Sequence, residues 1–130
     1  MKKLLILLFS LLISFNSYGE WVLVTTTTVS DTKGSKIYVD KDTIKKKDGF
    51  TYNWELSNFS KTWSAGSKSA KAFTQSDCSL YRRKVLTIVF YNNPMGEGEI
   101  NYSEEGPTEW HYPPPNSNGH NLIKYVCNAR

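Results

Sequence analysis

The clearest alternation in the chain runs from residue 50 to residue 57. Phe50, Tyr52, Trp54 and Leu56 take turns with Thr51, Asn53, Glu55 and Ser57. A period of two predicts a strand with one buried and one wet face. Two strands precede it. Residues 21–28 are almost wholly β-branched, and residues 36–40 form a shorter run, with a turn over 31–34 between them. Asp42-Thr43-Ile44 opens a polar connection that ends at Asp48-Gly49, a strong turn signal. Residues 58–68 are rich in Ser and Gly and read as a loop that carries Trp63.

The second half continues the pattern. Residues 69–80 predict a strand whose parity puts Ala70, Ala72, Thr74, Ser76 and Cys78 on one face, and Lys71, Phe73 and Gln75 on the other. The cysteine-bearing face is lined with small side chains, so another element can approach it closely. Residues 84–91 are apolar at both parities, which predicts a central strand covered on both sides. A turn over 92–96, a last edge strand over 99–102 and a loop over 104–107 follow. Pro113-Pro114-Pro115 cannot continue a sheet. Asn116 and Ser117 are good helix N-caps, and Leu122, Ile123, Val126 and Cys127 fall on one helical face, so residues 117–127 read as a short helix. Strands first and one helix last is an α+β order.

The N-terminus changes the compartment. Lys2 and Lys3 precede an apolar run over 4–13, and Ser17-Tyr18-Gly19 places small residues before Glu20. That is the pattern of a cleavable signal peptide over residues 1–19, with cleavage between Gly19 and Glu20. The run is too short to span a membrane, which takes about 20 apolar residues. The expected mature chain, residues 20–130, is one domain with a formal charge of +2 rather than +4. Such a weak charge lacks the basic footprint of a nucleic-acid binder. Cys78 and Cys127 are the two cysteines. In an oxidising compartment they allow a single intramolecular bridge, whereas a metal or redox pair wants cysteines close in sequence. The bridge would pin the helix onto the small-residue face of the sheet.

Catalytic motifs are missing. Neither His111 nor His120 has a ligand partner at metal spacing, and no nucleophile or metalloprotease signature occurs. The reading therefore has no catalytic residue, no metal and no cofactor. Asp40 with Asp42, Glu104-Glu105 and Gly96-Glu97-Gly98 read as solvated turns. Two features suit a partner. Lys45, Lys46 and Lys47, in a cluster with Lys41, could attract acidic glycans or anionic lipid heads, although a solvated loop is the plainer account. Fifteen of the 18 aromatic residues lie in the mature chain, and some, such as Trp63 and Trp110, could line an exposed face.

The order of these pieces resembles the surface-adhesin protein E-like family of small bacterial envelope proteins. The stretches that carry the resemblance are Tyr38-Val39-Asp40 with Thr43-Ile44-Lys45, Trp54-Glu55-Leu56-Ser57-Asn58, and Ser69-Ala70-Lys71 leading to Asp77-Cys78. Phe90-Tyr91, Pro94-Met95-Gly96, Trp110, Tyr112 with Pro113 to Ser117, and Val126-Cys127 complete it. The resemblance implies an antiparallel sheet with a C-terminal helix tied by a disulfide to its concave face. It also implies a non-enzymatic protein, with room for a homodimer, and a family whose named member binds host matrix and serum proteins such as vitronectin and laminin. That member is lipid-anchored. Here no cysteine stands at the cleavage site, so the expectation is an exported, periplasmic or secreted protein without a lipid anchor. The functional expectation is an adhesin-like module that binds a protein or glycan through sheet-face or loop residues. The alternative is a periplasmic inhibitor or envelope-homeostasis factor, acting through the loop 58–68 or the turn 92–99.

Overall fold

The structure, a computed structural model, describes residues 20–28 and 33–129. The expected signal peptide and part of the turn at 31–34 lie outside the described residues. Strands β1 (Trp21–Thr26), β2 (Lys36–Asp40), β4 (Phe50–Asn58), β5 (Ser69–Asp77), β6 (Arg82–Tyr91) and β7 (Ile100–Glu105) lie side by side in chain order, all antiparallel. A helix, α1 (Asn118–Asn128), follows the strands as the last element among the described residues.

The first departure from expectation is at the polar connection. Its lysines form a short strand, β3 (Lys45–Lys47), paired with the start of β4. Asp48 and Gly49 both take positive φ, 52° and 84°. Two left-handed residues in a row make the tight turn that suits strand twist, so β3 and β4 close as a hairpin. Lys45, Lys46 and Lys47 are thus held at fixed register against Tyr52, Thr51 and Phe50 instead of lying in a loop.

Ser117 caps α1, its hydroxyl accepting from the backbone N–H of His120 at 3.3 Å. The buried stripe Leu122, Ile123 and Val126 faces the sheet, and Leu122 and Val126 pack with Val39. The disulfide Cys78–Cys127 fixes the far end, and Thr25 Oγ1 donates to Asn118 Oδ1 at 2.8 Å near the start. The antiparallel sheet, the terminal helix and the tether agree with the reading from the cysteine parity.

The burial of β4 does not follow its hydropathy. Pairing sets Thr51, Asn53, Glu55 and Ser57 opposite Ser76, Thr74, Ala72 and Ala70, so the polar side of β4 shares the small-residue face that α1 covers. Thr51, Asn53 and Glu55 are 2%, 0% and 6% exposed, whereas Phe50, Tyr52 and Trp54 are half-buried. Burial is tolerable because the polar groups find one another. Thr74 Oγ1 donates to Asn53 Oδ1 at 2.9 Å, and Arg83 reaches Glu55. Strand β6 departs as well. It is half-buried along its length, with Phe90 its one buried residue, because among the described residues no layer covers one side of the sheet.

Candidate binding face

The face turned away from α1 is built by register. The pairs Trp21–Asp40, Tyr38–Leu56, Trp54–Phe73 and Lys71–Val89 all project from it. So do Phe50, Tyr52 and Tyr91. Seven strand aromatics therefore lie on this open face, against Phe90 and Tyr102 on the other. The rings touch across strands: Tyr52 and Phe73 stack with centroids 6.0 Å apart, and Trp54 and Phe73 lie 5.2 Å apart.

Trp110 joins from outside the sheet. The backbone of residues 106–111 runs along the start of β6, with Thr108 N donating to Val85 O at 2.9 Å and His111 N to Arg83 O at 2.8 Å. That pairing lays Trp110 over the open face. Its ring stacks on Phe50 at 5.7 Å and carries Arg82 at 4.2 Å and Lys84 at 4.5 Å over its centroid.

At the other end the turn 92–99 does not protrude. It folds down onto the sheet. Met95 N donates to Asn58 Oδ1 at 2.9 Å, Ser69 Oγ to Asn93 O at 2.6 Å, and Gly96 N to Ser69 Oγ at 2.8 Å. Leu56 is completely buried beneath it. Beside this turn a cleft of about 320 Å³ is lined by Trp21, Asp40, Trp54, Lys71, Val89 and Tyr91. The Lys71 ammonium lies 5.3 Å from the Tyr91 ring centre and 5.9 Å from that of Trp21.

Charge is divided unevenly between the faces. Six strand cations project from the open face: Lys36, Lys45, Lys47, Lys71, Arg82 and Lys84. The strands place three acids on the same face, Asp40, Asp77 and Glu105. Arg82 is paired to Asp77 at 2.9 Å. The Ser79 hydroxyl, above all, holds the Asp77 carboxyl below the usual carboxylate range; burial opposes this, and Arg82 and the Leu80 N–H add to it. Lys71 and Lys84 make no ion pair among the described residues.

The residues singled out from the sequence are not one cluster. Lys45, Lys47 and Trp110 belong to the open face, whereas Lys46 pairs with Thr51 and faces the helix side. Trp63 is 48% exposed on the helix side, where it packs on Phe59, itself next to Phe90. Trp21, Trp54, Lys71 and Phe73 were not predicted. The parity of β5 would have found two of them, since the face opposite Cys78 is the one that carries Lys71 and Phe73. Among the described residues no three His, Cys, Asp or Glu side chains converge on a common point.

Residues 21–128 match the family model of surface-adhesin protein E. The chain belongs to that family. Its fold is similar to that of Haemophilus influenzae protein E. One crystal form is 14% identical with a TM-score of 0.62, over 83% of this chain and 95% of that one. A second structure of that protein is 13% identical with a TM-score of 0.60, over 86% of each chain. Protein E from a non-typeable strain is 15% identical with a TM-score of 0.57, over 85% of each. No curated protein matches the sequence. As a surface-adhesin protein E family member the chain is an adhesin-like surface protein, and no helix among its described residues is long and apolar enough to cross a membrane.

Proposed function

We propose that this is a non-catalytic, exported adhesin-like protein that holds its partner, a protein or a glycan, on the open face of the sheet. The observation that carries the reading is the inverted strand β4. Its aromatic side stays half-exposed, while its polar side lies beneath the helix. Burying Tyr52, Trp54 and Phe73 against the helix would have stabilised the fold, so leaving these rings in water marks them for a second molecule. Lys71 and Lys84, cations of the same face with no ion pair among the described residues, give that molecule an acidic character. Export rests on the signal peptide pattern.

The test has two parts. Cell fractionation should find the mature protein, beginning at Glu20, outside the cytoplasm. Binding of the purified protein to immobilised extracellular-matrix preparations should then fall on Trp54→Ala and stay unchanged on Lys124→Gln, an exposed residue of α1. Equal binding by both variants would reject the open face. The inhibitor reading keeps one support, the exposed Trp63 in the loop 58–68; deleting that loop with the fold intact would abolish binding on that account and spare it on ours.

A further inference from the structure

We infer that the open face binds an acidic polysaccharide, with a carboxylate or sulfate group seated on Lys71 between Trp21 and Tyr91 and a second on Lys84 beside Trp110. This inference rests on the open face being the binding face and names the chemistry of its ligand.

Lys71 and Lys84 are cations without an acidic partner among the described residues, each held against aromatic rings. A ring face favours an ammonium but does not neutralise it. An anionic group completes each site with a charge-assisted hydrogen bond. Lys84 pairs with Gln75, four residues along β5 from Lys71. At the strand rise of about 3.3 Å per residue the two sites are about 13 Å apart along the sheet. Between them lie Trp54, Phe73 and Tyr52, whose ring contacts make a continuous apolar floor.

The kind of acidic polymer follows from what the floor lacks. A peptide laid across it would bring main-chain N–H and C=O groups that need partners. The sheet's own backbone groups are consumed in its ladders, and the face offers rings and cationic tips instead. A sugar ring carries its hydrogen-bonding groups around its rim and presents C–H faces above and below. It can lie flat on a tryptophan or tyrosine while its hydroxyls reach sideways. The cleft supplies both requirements: rings of Trp21, Trp54 and Tyr91, and the polar ends of Lys71 and Asp40. Asp40 is fixed by its Oδ1, which accepts from Asp42 N at 3.1 Å, so its carboxylate is a positioned hydroxyl acceptor. The volume, about 320 Å³, is in the range of small-ligand sites. Gly96 keeps this arrangement possible. A Cβ there would collide with Lys71 Cε.

The experiment measures binding of the purified mature protein, disulfide intact, to hexasaccharides of hyaluronate and of heparin. Neutral dextran oligosaccharide, inorganic polyphosphate and single-stranded DNA serve as comparators. Titration calorimetry and quenching of tryptophan fluorescence are the readouts, and near-ultraviolet circular dichroism checks the fold of each variant. We expect saturable binding of at least one uronate-bearing hexasaccharide, weakened by salt, with dextran far weaker. Lys71→Gln should weaken it roughly tenfold or more, the scale of one lost charge-assisted hydrogen bond, and Lys84→Gln should act likewise. Hyaluronate alone would assign a carboxylate to Lys71; heparin alone would assign a sulfate. Polyphosphate or DNA bound as tightly as the sugars would overturn the inference, because charge without a sugar face would then suffice. Absence of sugar binding, with the loss on Trp54→Ala in the matrix assay intact, would overturn the glycan and leave the open face standing. Sugar binding untouched by Lys71→Gln and Lys84→Gln would overturn the two anion sites that the inference assigns.

Discussion

Arg83 reaches from β6 across β5 to Glu55 on β4, one guanidinium nitrogen lying 2.5 and 2.6 Å from the two carboxylate oxygens. The pair sits on the helix side of the sheet, with the two side chains only 16% and 8% exposed. It closes a polar layer that also contains Asn53 and Thr74.

Removing one partner of this pair should cost more than removing both. Glu55→Met or Arg83→Met alone leaves a buried charge uncompensated and should destabilise the protein by about 3 kcal/mol in urea unfolding. The double variant should recover most of that loss. Additive losses would mean that the two charges are solvated independently.

Asp77 carries an acid-sensitive part of the stability. Its carboxyl titrates below the ordinary value because the Ser79 hydroxyl, and after it Arg82 and the Leu80 N–H, favour the charged form. A depressed folded value contributes stability that is full above the unfolded value, about 4, and is lost as pH falls through the folded one. The gap in urea midpoint between the wild type and Asp77→Asn should therefore be constant near neutrality and narrow below about pH 4. A gap that widens with acid would contradict this assignment.

Gly96 should not accept alanine quietly. It has a φ of +68°, and its added Cβ would meet Lys71. The backbone strain alone predicts a loss of about 1 kcal/mol in thermal or urea unfolding. Because the obstructing atom is near the end of a flexible side chain, Lys71 can swing aside. Gly96→Ala should consequently weaken ligand binding more than it weakens the fold.

The bridge Cys78–Cys127 spans 49 residues of sequence. The chain-entropy model gives about 4 kcal/mol for a loop of that length, so the Cys78→Ser, Cys127→Ser double variant should unfold at correspondingly lower urea. The helix signal in far-ultraviolet circular dichroism should be lost before the sheet signal. Simultaneous loss would show that sheet and helix form one cooperative unit.

Several of these features were legible in the residues. The parity of Cys78 with Ala70 and Ala72 located the helix, and Ser117 with the Leu122–Val126 stripe located its start and face. The hairpin of β3 was hidden because three lysines in a row have no strand propensity, and the Asp48-Gly49 turn together with pairing to Tyr52 overrode it. The candidate face was hidden for another reason. Alternation in β4 tells which residues share a side but not which side is covered. The rule that aromatic rings turn inward gave the wrong answer there, because the small residues that admit the helix are on β5, one strand away. Pairing of Asn53 with Thr74 then forces polar against small. Register, which depends on both strands at once, is not written in either alone.

The polar floor under α1 also governs how this protein fails. Thr51, Asn53, Glu55, Thr74 and Ser76 are uncovered if the bridge is reduced and the helix lifts, together with an apolar patch of Val24, Ile37, Val39 and Ile44. Most globular proteins that lose a covering helix expose grease and precipitate. Here the lifted helix would uncover a largely polar floor, with the aromatic face no more exposed than before. Reduction of the bridge would leave the C-terminal helix open to proteases above a floor that water can wet.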